Sequence, residues 1–215
     1  YFNVVGLPIA KLAQMLKQFG IHALMLAVMF TASGCGGITT NFNTATGSQE
    51  TMLYSTDREQ QIGAAVALEL EKSFQPLDDA ALDERLARIT DRIVAVCDRK
   101  ELVYITKAVE EKDLKGGAPM VNAVSLPGGY IYIFKGLLEY IDNDEELAAV
   151  ISHEIAHITA RHSMKRLQAS YGSLAMIIAA MHANSQLAGG MAATLQTMFL
   201  AYSQEDEIQA DSLGI

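Results

Sequence analysis

Apolar residues recur every three or four positions over two stretches, first Ile62, Val66 and Leu70, then Leu82, Leu86, Ile89, Ile93 and Val96. That is the spacing of one buried helix face, and it predicts two core helices. Thr56 and Glu59 give the first the spacing of a capping box, in which each side chain satisfies the other's free backbone donor. The second follows Asp78 and Asp79. Between Leu102 and Phe134 the pattern shortens to β-rich runs, Val103 to Thr106, Met120 to Val124 and Tyr130 to Phe134, separated by Gly116, Gly117 and Pro119 and then by Pro127, Gly128 and Gly129. These predict a small sheet. Pro127 cannot donate a ladder hydrogen bond and so favours an edge or a turn, and an edge strand leaves backbone groups free to pair with an extended peptide. A further helix is predicted with Asn143 as its cap, Glu146 three residues on, and Leu147, Val150, Ile151, Ile155 and Ile158 as its apolar positions.

The start of the chain has a different pattern. An apolar run from Ala23 to Phe30 follows Lys11 and Lys17 and precedes Thr31, Ala32, Ser33, Gly34 and Cys35. Eight apolar residues fall far short of the ~20 that span a bilayer, and the charged, apolar, small-residue order resembles a bacterial lipoprotein signal with Cys35 as the lipidated residue. A start at Met15 would leave Lys17 ahead of the run, with residues 1–14 as upstream sequence. Gly36 after Cys35, where retention in the inner membrane usually needs aspartate, points to the outer membrane. Residues 36–53 are rich in Thr, Gly, Asn and Ser and predict a flexible tether. Residues 54–215 would then form the folded domain. With Cys35 acylated, Cys97 has no partner and is expected as a small buried hydrophobe. Residues 172–202 are apolar but interrupted by His182, Asn184, Ser185, Gln186, Gly189 and Gly190, which predicts a helical hairpin over the site, usable as a lid, rather than a membrane span.

Composition narrows the classes further. At 215 residues, 50% hydrophobic and 19% charged, with four prolines and two cysteines, the chain fits one globular domain with accessory segments and excludes disordered, collagen-like and disulfide-stapled classes. A net charge of −9 excludes nucleic acid as a partner, because phosphate binding needs a basic face.

Candidate chemistry lies in the helix after Asn143, which reads HEIAHITARH from His153 to His162. Four residues are slightly more than one helical turn, so His153 and His157 share a face, as two imidazoles on one metal require. Glu154 lies about 100° round the helix, poorly placed as a ligand but able to reach a water as general base. A catalytic zinc needs a third protein ligand. The segment from Ser203 to Ile215 reads SQEDEIQADSLGI, with Glu207 and Asp211 one turn apart. Glu207 can complete the donor set, with Glu205 as the competing candidate, and Asp211 can orient a ligand histidine or act in proton transfer. His162 would point about 140° from His157 on a straight helix and is expected in a supporting or surface position.

Taken together, HEIAH at 153–157, Glu207 and Asp211 in an ExxxD pattern, and Asn122, Ala123, Pro127, Gly128 and Gly129 in an NAxxxPGG element resemble the HtpX, BepA and CAAX-prenyl-protease family of gluzincin zinc peptidases over about residues 50–215. The resemblance implies an α+β, mostly helical, zincin-like fold with a small sheet whose edge strand faces substrate. It implies one zinc ion per chain held by His153, His157 and Glu207, with Glu154 as base and Asp211 as proton donor. Asn122, Ala123, Pro127, Gly128 and Gly129 would support the substrate-facing strand. The family continues beyond the equivalent of Ile215, so the domain is expected to extend further. The implied activity is hydrolysis of peptide bonds in misfolded or unassembled bacterial envelope proteins, from a lipid anchor on the periplasmic face. A periplasmic chaperone or assembly factor with a latent zinc site is the alternative class.

Overall fold

The computed structural model describes residues 39–112, 118–169 and 202–214. The signal-like segment, Cys35 and all of residues 172–202 except Tyr202 lie outside them. Helix α1 (Thr56–Ser73) starts one residue earlier than its sequence suggests: Ser55 is the cap, its hydroxyl accepting the Arg58 amide at 3.3 Å. Glu59, three residues before Ile62, lies on the same face as Ile62, Val66 and Leu70 wherever the helix starts. Glu59 is therefore not a capping residue but is 2% exposed, its carboxylate held by Arg99 Nη1 at 2.8 Å and Nη2 at 3.1 Å.

Strands β1 (Thr39–Asn43) and β2 (Ser48–Met52) form an antiparallel hairpin where a flexible tether was expected. Polar side chains do the ordering that apolar burial usually does. Buried Glu50 accepts from Asn43 Nδ2 at 3.0 Å, Thr46 Oγ1 at 2.8 Å and Lys165 Nζ at 2.7 Å, and Met52 beside it enters the core.

Four further strands, β3 (Phe74–Pro76), β4 (Ile105–Glu111), β5 (Ala123–Leu126) and β6 (Tyr130–Phe134), form a sheet in the order β3-β4-β6-β5. The β4–β6 pair is parallel and the other two are antiparallel. β4 begins at Ile105, later than the apolar run suggests, and Val103 is exposed. Helix α2 (Ala80–Val94), capped by Asp79, ends before Val96, which is 81% exposed instead of completing the buried stripe. Short α3 (Lys135–Leu138) leads to α4 (Asp144–Thr159).

β6 is buried on both faces and joins two cores. Tyr132 and Phe134 pack with Ile62, Val66 and Leu70 of α1, whereas Ile131 and Ile133 pack with Leu86 and Ile89 of α2 and Ile151 and Ile155 of α4. The Pro127–Gly129 turn between β5 and β6 lies directly on α1, because Gly63 has no side chain: a Cβ there would stand 1.8 Å from the Pro127 carbonyl oxygen. Gly128 sits at φ 79°, which glycine adopts freely. The site-bearing elements β5 and α4 are thus fixed against one sheet. Among the described residues no helix is long and apolar enough to cross a membrane.

Arg99 also donates from Nη1 to the Ile158 carbonyl at 3.2 Å, near the end of α4. Arg99→Ala would leave the Glu59 carboxylate buried without its partner, so a loss of about 3–5 kcal/mol is expected in chemical denaturation; a loss below about 1 kcal/mol would mean the pair is not a structural anchor.

Candidate metal site

The site is built from two helices. In α4, Asn143 Oδ1 accepts the Glu146 amide at 2.8 Å while Glu146 accepts the Asp142 amide at 2.9 Å, a reciprocal cap that starts the helix and phases His153, Glu154 and His157. Helix α6 (Gln204–Leu213) starts at a capping box between Ser203 and Asp206. It packs on α4 through fully buried Ala210, and its terminal Gly214 lies against the Ser152–His153 backbone.

This packing brings Glu207 to the histidines. His153 Nε2 and His157 Nε2 are 3.0 Å apart, and Glu207 Oε2 is 3.3 Å from the first and 3.9 Å from the second. Tetrahedral zinc with donors at about 2.0–2.1 Å places those donors about 3.3 Å from one another, so the spacing fits one ion. These three residues are the one group among the described residues that could hold a metal. Glu205, the competing candidate, is exposed and is not in it. Asp211 Oδ1 lies 3.0 Å from His153 Nδ1, so the Nδ1 proton goes to the carboxylate and Nε2 is left with its lone pair toward the donor cluster.

The electrostatics favour neutral imidazole. Burial, with His153 and His162 alongside, pulls His157 down to about 3, and burial also lowers His162. Glu154 is 7% exposed, and burial raises its pKa above the usual carboxylate range. The Ser125 hydroxyl and amide in β5 neighbour its carboxyl group, while Oε2 itself has no well-formed hydrogen bond. A buried, unpaired carboxylate oxygen beside two imidazoles has the character of a proton acceptor rather than a structural anion.

Two residues contribute more than their sequence positions indicate. Of the two positions expected for His162, supporting or surface, it takes the supporting one: α4 ends at Thr159 with Ala160 as its cap, Arg161 takes a left-handed conformation at φ 58°, and α5 (His162–Ala169) starts afresh. The reversal buries His162 to 1% exposure with its Nδ1 2.8 Å from His157 Nδ1. Extrapolating a straight helix past Thr159 misses this. Tyr202, unmarked in the sequence, stacks on His157 with ring centroids 3.9 Å apart and shares a hydrogen bond with Ser163 at 2.7 Å. Its position immediately before the Ser203 cap is the one signal that could have drawn attention to it. Burial pushes its hydroxyl up to about 12, so it stays protonated. Cys97 is half-buried, its thiol 3.8 Å from the Tyr104 hydroxyl, rather than wholly in the core.

The model of peptidase family M48 matches residues 80–215. The chain belongs to peptidase family M48. The M48 match spans α2, strands β4, β5 and β6, α4 and α6, and so contains both helices of the donor cluster. Among curated M48-type relatives, the chain is similar to the mitochondrial metalloendopeptidase OMA1 of Schizosaccharomyces pombe, at 30% identity over 60% of this chain and 37% of that protein. It is also similar to the beta-barrel assembly-enhancing protease of Escherichia coli K12, at 25% identity over 75% of this chain and 34% of that protein. The OMA1 of Arabidopsis thaliana is 34% identical over 45% of this chain and 20% of that protein. The chain thus spans about a third of the length of the first two.

A His157 that titrates near 3 when folded and near 6.5 when unfolded means that the unfolded chain binds more protons between those values. Its contribution is complete above about pH 6.5 and is lost as pH falls toward 3. The thermal midpoint of the metal-free protein is therefore expected to drop between pH 6.5 and 5, where ordinary carboxylates barely titrate. Glu154, shifted upward, has the opposite sign, since stability from its protonated form is lost as pH rises. The test is thus the difference between wild type and His157→Gln, and equal slopes in the two would contradict a neutral buried His157.

Proposed function

We propose that this M48 chain is a zinc-dependent endopeptidase in which His153, His157 and Glu207 hold the metal and Glu154 is the general base. The observation that carries this reading is the convergence of three donor atoms within 4.8 Å next to a buried carboxylate whose Oε2 is unpartnered. Zinc held there would supply Lewis acidity, polarising a peptide carbonyl and making water nucleophilic at neutral pH. Glu154, its pKa raised by burial, takes the proton of the attacking water and delivers it to the departing amine. Asp211 is bonded to His153, which supports the orienting role over direct proton donation.

Substrate would add as a strand to β5, which among the described residues pairs with β6 alone. The Phe134 amide bonds the Asn122 carbonyl, so by strand alternation the backbone groups of Ala123 and Ser125 point away from β6; the Ser125 carbonyl accepts from Ser163 Oγ at 3.2 Å, which leaves the Ala123 carbonyl as the group to pair with substrate. Asn122 Oδ1 holds the Ala123 amide at 3.0 Å, and the Pro127, Gly128 and Gly129 turn fixes the strand's far end on α1. These features support the strand-positioning role of the NAxxxPGG element. Pairing through backbone groups is independent of side-chain identity and needs an extended peptide, which suits unfolded chains.

The likeness to the E. coli beta-barrel assembly-enhancing protease supports unassembled or misfolded envelope proteins as the substrate class. The lipoprotein-like order ending at Cys35 supports anchoring at the periplasmic face of the outer membrane.

Glu154→Gln tests the assignment. The variant is expected to bind zinc as wild type does and to lose about 10²–10⁴-fold in cleavage of unfolded casein. It should also unfold at a higher temperature, because a neutral amide replaces a buried ionisable group. Undiminished cleavage would end the assignment, and bound zinc without cleavage by wild type would favour the assembly-factor reading.

A further inference from the structure

We propose that His162 is a positioning residue for the metal site: by accepting the Nδ1 proton of His157 it leaves His157 Nε2 free as a metal donor. The inference rests on the metal-site reading above and adds a residue outside the donor set.

The argument follows the protons from the far end of a four-residue chain. Ser203 engages Asp206 through Oδ2, with its amide at 3.2 Å and its hydroxyl at 2.7 Å. Asp206 Oδ1 is left facing His162 Nε2 at 3.5 Å, and Gln209 Oε1 faces the same nitrogen at 2.9 Å. A carboxylate can only accept, and so can an amide oxygen, so His162 Nε2 carries a proton. A neutral imidazole holds one proton, which leaves His162 Nδ1 bare. The atom 2.8 Å away is His157 Nδ1, and a bond between two ring nitrogens needs one proton, so His157 supplies it. His157 Nε2 is then bare and faces His153 Nε2 and Glu207 Oε2.

A neutral His162 cannot donate from both nitrogens, so the opposite polarity fails at both ends. If His162 Nδ1 donated, its Nε2 lone pair would face two acceptors, and His157 Nε2 would carry a proton into the donor cluster. Tyr202, stacked on the His157 ring, holds its plane but offers no partner to either nitrogen, because its hydroxyl is engaged with Ser163. Helix α6 therefore acts on the site twice. Glu207 joins the donors directly, while Asp206 and Gln209, from the same helix, set which nitrogen of His157 is available.

Two variants separate this from simple filling of a buried space. His162→Asn puts an acceptor oxygen where Nδ1 stands but is smaller, whereas His162→Phe keeps a ring of similar size and has no acceptor. Zinc affinity of the full chain would be measured by competition with a chromophoric chelator, with metal-free unfolding midpoints recorded alongside. The expected result is a zinc affinity about 10–100-fold weaker in His162→Phe, with His162→Asn nearer to wild type. A space-filling role gives the reverse order and overturns the proposal, as does wild-type affinity in His162→Phe. A measurement on wild type alone covers the case in which a variant does not fold. Ring ¹⁵N shifts of the zinc-loaded protein should show His157 protonated at Nδ1 and His162 at Nε2, and a proton on His162 Nδ1 overturns the proposal. A wild-type chain that takes up no zinc overturns the metal-site reading itself.

Discussion

The site depends on how α4 ends. A helix leaves its last carbonyls without intrahelical partners, and here two of them are taken from outside. Arg99 reaches the Ile158 carbonyl at 3.2 Å, and Asn43 Nδ2 reaches the Thr159 carbonyl at 3.0 Å. With those groups satisfied the chain can turn sharply through Arg161 in a left-handed conformation, which costs a non-glycine residue on the order of 1–2 kcal/mol. The turn returns His162 to His157. Had α4 continued for another turn, His162 would have been carried away from the metal donors.

The same junction is braced from three directions. Arg99 is held by Glu59 of α1, Asn43 by Glu50 of the hairpin, and Glu50 by Lys165 of α5. Leu53, just past the hairpin, donates its amide to Gln168 Oε1 at 2.7 Å, tying the following segment to α5 as well. These buried or half-buried polar contacts contribute little net stability where charges are desolvated. Their effect is geometric, since each fixes one element relative to the end of α4. Away from this scaffold, Glu154 Oε2 is buried without a well-formed hydrogen bond, with Ser125 of β5 as the carboxyl's polar neighbour.

Legibility in the sequence followed the range of the interactions. Helices with a strong stripe or a local cap could be read directly: Asp79 and Asn143 are the caps of α2 and α4, and Tyr130–Phe134 is β6. Of the residues in the donor cluster, His153 and His157 were legible because helical pitch sets them on one face, whereas Glu207 was separated from Glu205 only by the ExxxD resemblance. What could not be read was long-range. Glu59 has its partner 40 residues away, and Asn43 finds the Thr159 carbonyl 116 residues away. The hairpin's low apolar content hid it, because its order comes from Glu50, whose partners are invisible to composition. The position of His162 required a break in helical phase at Arg161, a residue with no intrinsic preference for one.

Tyr202 closes a second circuit whose meaning is topological. Its ring packs on His157, its hydroxyl meets Ser163, and Arg166 lies 4.9 Å over its face, so the chain re-enters the site on the same short helix, α5, from which it departs after Ala169. Because Tyr202 immediately precedes the Ser203 cap, these contacts with α5 also set where α6 begins, and with it the register of Asp206 and Glu207 against the histidines.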